Sequence, residues 1–178
     1  LVSEPPIIRV DSQLIRLDNY QVLSNDAISD LLEILLKPAQ KDLFAKQSHI
    51  DFAYAYKNNI RFRVNAYKQK GVLSIAMRLI PSQIKNLEDL NLPATLRKFI
   101  ERKQGLVLMV GPTGHGKSTA LASMINEINN TRAEHILTIE DPVEYIFTPN
   151  KSIISQRELY IDAPTFEGAL KAALREDV

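Results

Sequence analysis

Residues 111–119 read GPTGHGKST and match the pattern G-x-x-x-x-G-K-[ST] at every fixed position. The glycines allow a tight turn in which several backbone N–H groups point inward, and such a nest at the start of a helix attracts phosphate oxygens. Lys117 adds a full charge for the β- and γ-phosphates, and the Ser118 hydroxyl can ligate Mg²⁺. The stretch predicts a phosphate-binding loop made of Gly111, Pro112, Thr113, Gly114, His115, Gly116, Lys117, Ser118 and Thr119.

The flanking sequence supports this interpretation. Residues 105–110 form a continuous apolar run, GLVLMV, which is typical of a buried parallel strand. A strand, a glycine loop and a helix therefore follow one another in the required order, so a chance match on a surface turn is the weaker interpretation. His115 stands at a variable position, where a solvent-facing ring is expected. The helix is indicated by apolar residues at helical spacing, namely Leu121, Met124, Ile125 and Ile128.

The second informative stretch is residues 136–145, ILTIEDPVEY. Four apolar or β-branched residues end in Glu140, Asp141 and, beyond Pro142, Glu144. Ligands of open α/β sheets bind beyond the carboxyl ends of the strands, so these carboxylates could reach a γ-phosphate. One could orient or deprotonate the attacking water, and another could hold Mg²⁺ through its waters. A solvated acidic loop explains the pattern equally well alone, but its place beside a phosphate loop favours function.

A third pattern lies in residues 60–67, IRFRVNAY. At strand periodicity Arg61, Arg63 and Asn65 share one face, and Arg78 follows on the next predicted strand. Guanidinium groups bind oxyanions bidentately, so this face suits a phosphate. From the residues alone, the solvent-facing side of an antiparallel sheet is the better interpretation.

Composition excludes several other classes. The chain of 178 residues is 45% hydrophobic and 24% charged, an ordinary globular composition. Its net charge of +1 gives no electrostatic case for a nucleic-acid or anionic membrane partner. It has no cysteine, hence no disulfide and no thiolate metal site, and its three histidines show no metal spacing. No apolar run approaches the roughly 20 residues that span a bilayer.

Local patterns predict an α+β region followed by an α/β region. In the first we expect a hairpin over 6–17, a helix N-cap in Ser24-Asn25-Asp26, and helices over 28–35 and 38–47. We also expect strands over 51–56, 60–67 and 72–80, with turns at Asn58-Asn59 and Lys70-Gly71. In the second we expect a helix over 93–102 and alternating strands and helices over 105–110, 118–130, 135–139, 152–157 and 165–175.

Together these segments resemble the PilT family of twitching-motility proteins, the retraction motors of type IV pili within the secretion-ATPase superfamily. The resemblance rests on GPTGHGKSTALASMINEINN, HILTIEDPVEYIF, SIISQREL and ALKAALRED, and in the first half on IIRVDSQLIRL, DFAYAY and IRFRVNAYKQKG with MRLIP. It covers nearly the whole chain from Pro6 onward.

The family implies an α/β chain with a PAS-like N-terminal domain over residues 1–83, a linker over 84–92 and the first part of a RecA-like ATPase domain over 93–178. It also implies a homo-hexameric ring with ATP and Mg²⁺ bound between domains and subunits. The expected partners are an inner-membrane pilus platform protein and the pilus machinery, with no nucleic acid. The expected location is the cytoplasm, at the inner face of the cytoplasmic membrane but not inserted in it.

Site roles follow from the resemblance by position. Glu144 matches the glutamate that activates water, and Lys117 and Ser118 match the ATP and Mg²⁺ contacts. Glu140 and Asp141 complete the acidic box beside the metal. The resemblance also raises the phosphate interpretation of the arginines, because Arg63 and Arg78 match N-domain arginines that reach phosphate charge when the domains close.

The chain departs from the family pattern at both ends. An SDLH segment near the start is absent, and the family continues past ALRED into a Walker B strand, a histidine box and a C-terminal helical domain, whereas this chain stops at Val178. We therefore expect these 178 residues to be a fragment that is inactive alone.

Two alternatives stay open beside the retraction motor. A pilus-extension or type II secretion ATPase of the same superfamily would share the loop and the acidic box, although such proteins usually carry a larger N-terminal region and a four-cysteine zinc segment. A non-hydrolysing nucleotide-binding interaction protein would keep the loop and lack the Walker B region. A DNA-translocating motor ranks lower, because the net charge is near neutral and no basic groove is evident.

Overall fold

The predicted hairpin forms at the start of the chain. β1 (Ile7–Val10) and β2 (Gln13–Arg16) pair antiparallel, and both residues between them, Asp11 and Ser12, take the positive φ angles that two-residue hairpin loops require. All eight strand residues are exposed. The computed structural model describes residues 3–57 and 60–178, so the turn predicted at Asn58-Asn59 lies outside the described residues.

Two helices follow the hairpin. α1 (Asn25–Leu35) begins after Ser24, whose Oγ accepts a hydrogen bond from the Ala27 N–H at 3.1 Å, as the predicted N-cap requires. Of its apolar residues, Ile28, Leu32 and Leu35 are buried. α2 (Pro38–Gln47) has its proline at the first helical position, where the missing N–H costs nothing.

A three-stranded sheet completes the first half. β3 (His49–Ala55), β4 (Arg61–Gln69) and β5 (Val72–Ile80) lie in that order, and β3 pairs antiparallel with β4. Lys70 and Gly71 form the predicted turn with positive φ angles. The helices pack on the sheet around a core made of Leu32, Leu35, Leu36, Ile50, Phe52, Val64 and Ala66.

The second half forms a separate compact unit, divided from the first at the Leu79–Ile80 bond. Its two strands pair in parallel, with Thr138 opposite Gln156 and Glu140 opposite Glu158. The second unit consists of α3 (Leu96–Ile100), α4 (Lys117–Thr131), β6 (His135–Glu140), β7 (Ile153–Glu158) and α5 (Phe166–Ala173). The helix predicted after the glycine loop, α4, and the two predicted strands, β6 and β7, are confirmed.

The strand predicted over residues 105–110 is wrong. These residues take no strand conformation, and all but the half-buried Met109 are exposed, with Leu106 at 82% and Val110 at 88%. A parallel strand needs a neighbour to bind its N–H and C=O groups, and in residues 3–57 and 60–178 no strand pairs with this run. The helix predicted over 93–102 is also shorter, since α3 covers five residues.

Residues 84–92, predicted as a linker, pack into the second unit. Leu87 is 1% exposed and contacts the core that α3 and α4 form through Ile100 and Met124. Arg97 fixes the same segment, because it binds Glu127 at 2.9 Å and also pairs with Glu88. These hydrogen bonds, chiefly the one with Glu127, raise the pKa of Arg97, and the Arg97 guanidinium lowers the pKa of Glu88.

Replacing Phe52 by alanine should destabilise the first unit by about 3–5 kcal/mol, because the side chain is 1% exposed and its removal leaves a cavity against Val64. Urea unfolding followed by circular dichroism measures the loss. Tyr20→Ala is the control, since Tyr20 is 63% exposed and its removal should change stability by less than about 0.5 kcal/mol. Equal losses in both variants would contradict the core described above.

Candidate active site

The glycine loop ends in a left-handed residue that starts α4. Gly116, the N-cap, has φ 78° and ψ 16°, and its carbonyl accepts the first helical hydrogen bond from Ala120 N–H at 2.8 Å. Gly114 has φ 83°. A Cβ at either position would meet no atom within 4 Å, so the backbone conformation rather than space requires glycine here. The next N–H groups of the helix have no intrahelical partner and can receive an anion.

Lys117 bends back over the loop. Its Nζ donates to the carbonyl of Gly111 at 2.8 Å and to that of Pro112 at 2.9 Å. The ammonium therefore lies at the mouth of the nest and is held there by neutral acceptors, which phosphate oxygens can replace with stronger charge-assisted hydrogen bonds. Residues 111–116 are exposed, and the exposure of His115 agrees with the prediction.

The acidic loop, residues 141–147, leaves the carboxyl end of β6 through a cis Asp141–Pro142 bond. Its first anchor is Glu140. One carboxylate oxygen, Oε1, accepts from Thr138 Oγ1 at 2.7 Å and from Gln156 Nε2 at 3.1 Å, and Oε2 accepts from the Glu144 N–H at 3.4 Å. Glu140 thus organises the loop, whereas Asp141 is exposed.

β7 supplies further anchors for the acidic loop. Gln156 Nε2 donates to the Tyr145 carbonyl at 2.8 Å, and Gln156 Oε1 accepts from the Phe147 N–H at 3.0 Å. Glu158, which is 8% exposed, accepts from the Val143 N–H at 3.1 Å. Sequence reasoning assigned no role to Gln156 or Glu158. The segment SIISQREL contains both residues at alternate positions of one strand, Gln156 and Glu158. Both bind the acidic loop once β7 pairs with β6.

A hydrogen bond joins the two parts of the candidate site. Tyr145 Oη lies 3.1 Å from Thr119 Oγ1, and both side chains are half-buried. The phosphate loop and the acidic loop, predicted separately from the sequence, are therefore adjacent in the second unit. Glu144, half-buried, precedes Tyr145 in the chain.

The predicted arginines lie in the first unit. Arg63 Nε is 3.9 Å from Asp51 Oδ1 on the neighbouring strand, and Arg78 is exposed on β5. On the opposite face of β4, Val64 and Ala66 are fully buried, as the alternation predicts. The phosphate role of Arg63 and Arg78 stays a prediction.

The oxygen donors of the second unit fit Mg²⁺. A serine hydroxyl and carboxylates are hard ligands of the kind that Mg²⁺ prefers, and Mg²⁺ keeps several waters beside substrate phosphates. It therefore needs few protein ligands, such as Ser118 and a carboxylate of the acidic loop. Within the described residues no cluster of three or more histidine, aspartate or glutamate side chains could hold a metal ion by itself. In the same part of the chain, no helix is long and apolar enough to cross a membrane.

A glycine loop with its lysine at the start of a helix, beside an acidic strand end, defines the class of P-loop proteins. Residues 29–178 match the family model described as "Type II/IV secretion system protein". The chain belongs to this family, whose members include secretion ATPases.

Individual relatives agree with this family. The chain is 41% identical over 172 residues to a twitching motility protein of Neisseria gonorrhoeae, covering 97% of this chain and 46% of the relative. It is 39% identical over 173 residues to a type IV pilus retraction ATPase, PilT, of Pseudomonas aeruginosa, covering 97% and 50%. A crystal structure of the pilus retraction motor PilT with bound ADP superposes with a TM-score of 0.91 at 38% identity, covering 99% and 52%. The chain spans about half the length of these relatives.

Replacing Gly116 by alanine should destabilise the second unit by about 1–2 kcal/mol, because a Cβ disfavours the left-handed conformation. Gly116→Asn is the matched variant and should lose less, since asparagine tolerates this conformation better. Chemical denaturation of both variants measures the difference. If both were as stable as the unmodified protein, the left-handed cap would not be required.

Proposed function

We propose that the protein containing this chain is an ATP-hydrolysing motor that powers retraction of type IV pili. The observation that carries the proposal is the joined site: a phosphate loop and an acidic loop that meet through Thr119 and Tyr145. The similarity to a twitching motility protein and to PilT, each over 97% of this chain, supports the pilus as the load. The crystal structure of PilT with bound ADP supports an adenine nucleotide as the ligand.

In the proposed reaction, the nest of the glycine loop binds the phosphates of ATP. Lys117 exchanges the carbonyls of Gly111 and Pro112 for the β- and γ-phosphate oxygens. Mg²⁺, held by Ser118 and the carboxylate of Asp141 with water between, would neutralise charge on the phosphates. Glu140 can share this metal role through water, although three hydrogen bonds already engage its carboxylate.

Glu144 is the proposed general base. It would accept a proton from the water that attacks the γ-phosphate, giving ADP and phosphate. We further propose that Arg63 and Arg78 bring positive charge to the phosphates from a PAS-like domain over residues 1–83. Residues 84–92 would join it to a RecA-like domain over residues 93–178.

The assembly we propose is a hexamer that works in the cytoplasm beside the inner-membrane pilus platform. A pilus-extension or type II secretion ATPase is the second candidate, because the family description covers both types of machine. The retraction assignment is favoured because the matched twitching and retraction proteins cover nearly the whole chain.

Glu144→Gln in the full-length protein should lower kcat about 10²-fold or more while ADP still binds, because the amide cannot take the proton. Phosphate release and calorimetric binding of ADP measure the two effects. Glu167→Gln is the control, since Glu167 lies on the exposed face of α5 with its side chain 76% exposed. Lys117→Ala should abolish both turnover and tight ADP binding. Unchanged hydrolysis by Glu144→Gln would refute Glu144 as the base.

Deletion of the gene should leave surplus, non-retracting fibres on the cell surface, because assembly would continue without its opposing motor. Electron microscopy of fibres and a twitching assay measure this. The wild-type gene should restore retraction, and the gene carrying Lys117→Ala should not. Loss of fibres in the deletion strain would instead indicate an extension motor.

A further inference from the structure

Tyr145 is held at both ends by different elements. Its carbonyl accepts from Gln156 of β7 at 2.8 Å, and its phenol shares a hydrogen bond with Thr119 of α4 at 3.1 Å. The residue therefore bridges the sheet and the first turn of the helix that the glycine loop opens. The bond to Thr119 requires the tyrosine hydroxyl. Phenylalanine would fill the same space but could not form this hydrogen bond.

Hydrogen bonds hold the backbone on both sides of the Glu144 side chain. Its own N–H binds the carboxylate of Glu140 at 3.4 Å, and the next residue, Tyr145, is bound at both its carbonyl and its phenol. A shift of Thr119 would pull on Tyr145 and hence on Glu144. Displacements of about 1 Å in a catalytic group can change rates about 10²-fold, so such a shift can control hydrolysis.

Thr119 lies where a bound phosphate would change the local hydrogen bonds. It follows Lys117 and Ser118 in the first turn of α4, where the N–H groups receive an anion. Phosphate oxygens that displaced the carbonyls of Gly111 and Pro112 from Lys117 would change the hydrogen bonds of this first turn. The Thr119 hydroxyl lies within that turn, 3.1 Å from Tyr145 Oη.

We propose that Tyr145 is a positioning residue that couples occupancy of the phosphate loop to the position of Glu144. This inference rests on the proposed function for its consequence in catalysis. The coupling itself needs only that a nucleotide binds, so it can be measured apart from hydrolysis. The side-chain amide of Gln156 binds Glu140, Tyr145 and Phe147, and these three hydrogen bonds hold the acidic loop on β7.

The first test is a double-mutant cycle in the full-length protein with Tyr145→Phe and Thr119→Ala. Tyr145→Phe should lower kcat roughly tenfold, the effect of one lost hydrogen bond, while calorimetric ADP affinity changes less than about threefold. Adding Tyr145→Phe to Thr119→Ala should have little further effect, whereas in Thr119→Ser, which keeps the hydroxyl, it should again cost about tenfold. Tyr160→Phe, at an exposed tyrosine outside the site, is the control.

The second test is amide hydrogen exchange of residues 141–147 with and without ADP. In the unmodified protein ADP should change the exchange of Val143 and Phe147, whose N–H groups bind β7. In Tyr145→Phe the change should disappear although ADP still binds. An equal response in both proteins, or multiplicative effects in the cycle, would overturn the coupling. A protein that binds ADP and shows the coupled exchange, but hydrolyses nothing, would refute the proposed function and leave the coupling intact.

Discussion

The candidate site depends on how the backbone of the acidic loop finds hydrogen-bond partners. Residues 141–147 take no strand conformation and cannot join the ladder of the sheet, so their buried N–H groups need side-chain acceptors. Gln156 and Glu158 provide them from β7, and Glu140 provides one from the end of β6. Each buried group left unpaired would cost about 1–3 kcal/mol, which makes these three side chains part of the fold as well as of the site.

Parallel pairing makes this solution possible. Because β6 and β7 run in register from His135 opposite Ile153, their carboxyl ends meet at the same edge, and alternate residues of both strands face the loop. An antiparallel neighbour would bring its amino end there instead. The acidic loop leaves this edge, and its Tyr145 lies 3.1 Å from Thr119 in the first turn of α4, so the phosphate loop and the acidic loop are neighbours.

Much of this arrangement could be predicted from local sequence. Ser24, the Lys70-Gly71 turn and the spacing in α4 are local signals, and each is confirmed. The strand prediction over 105–110 was wrong because an apolar composition indicates a strand, whereas the pairing and burial of a strand depend on neighbouring elements. Gln156 was overlooked for a similar reason: its partners lie 9 to 16 residues away in sequence, and the register of β7 on β6 brings them together. The metal role of Glu140 stays a prediction, and its hydrogen bonds to Thr138, Gln156 and the Glu144 N–H are contacts that its residue type alone does not reveal.

The folded-back Lys117 has a consequence for selectivity. The ammonium of Lys117 is bound by the carbonyls of Gly111 and Pro112, so a phosphate that binds the loop must displace these two acceptors. A lone inorganic phosphate that reaches only the lysine would replace two hydrogen bonds with about as many and gain little. A di- or triphosphate also fills the row of N–H groups at the start of α4, and this surplus favours it. The position of Lys117 would therefore favour a ligand with two or three linked phosphates over inorganic phosphate.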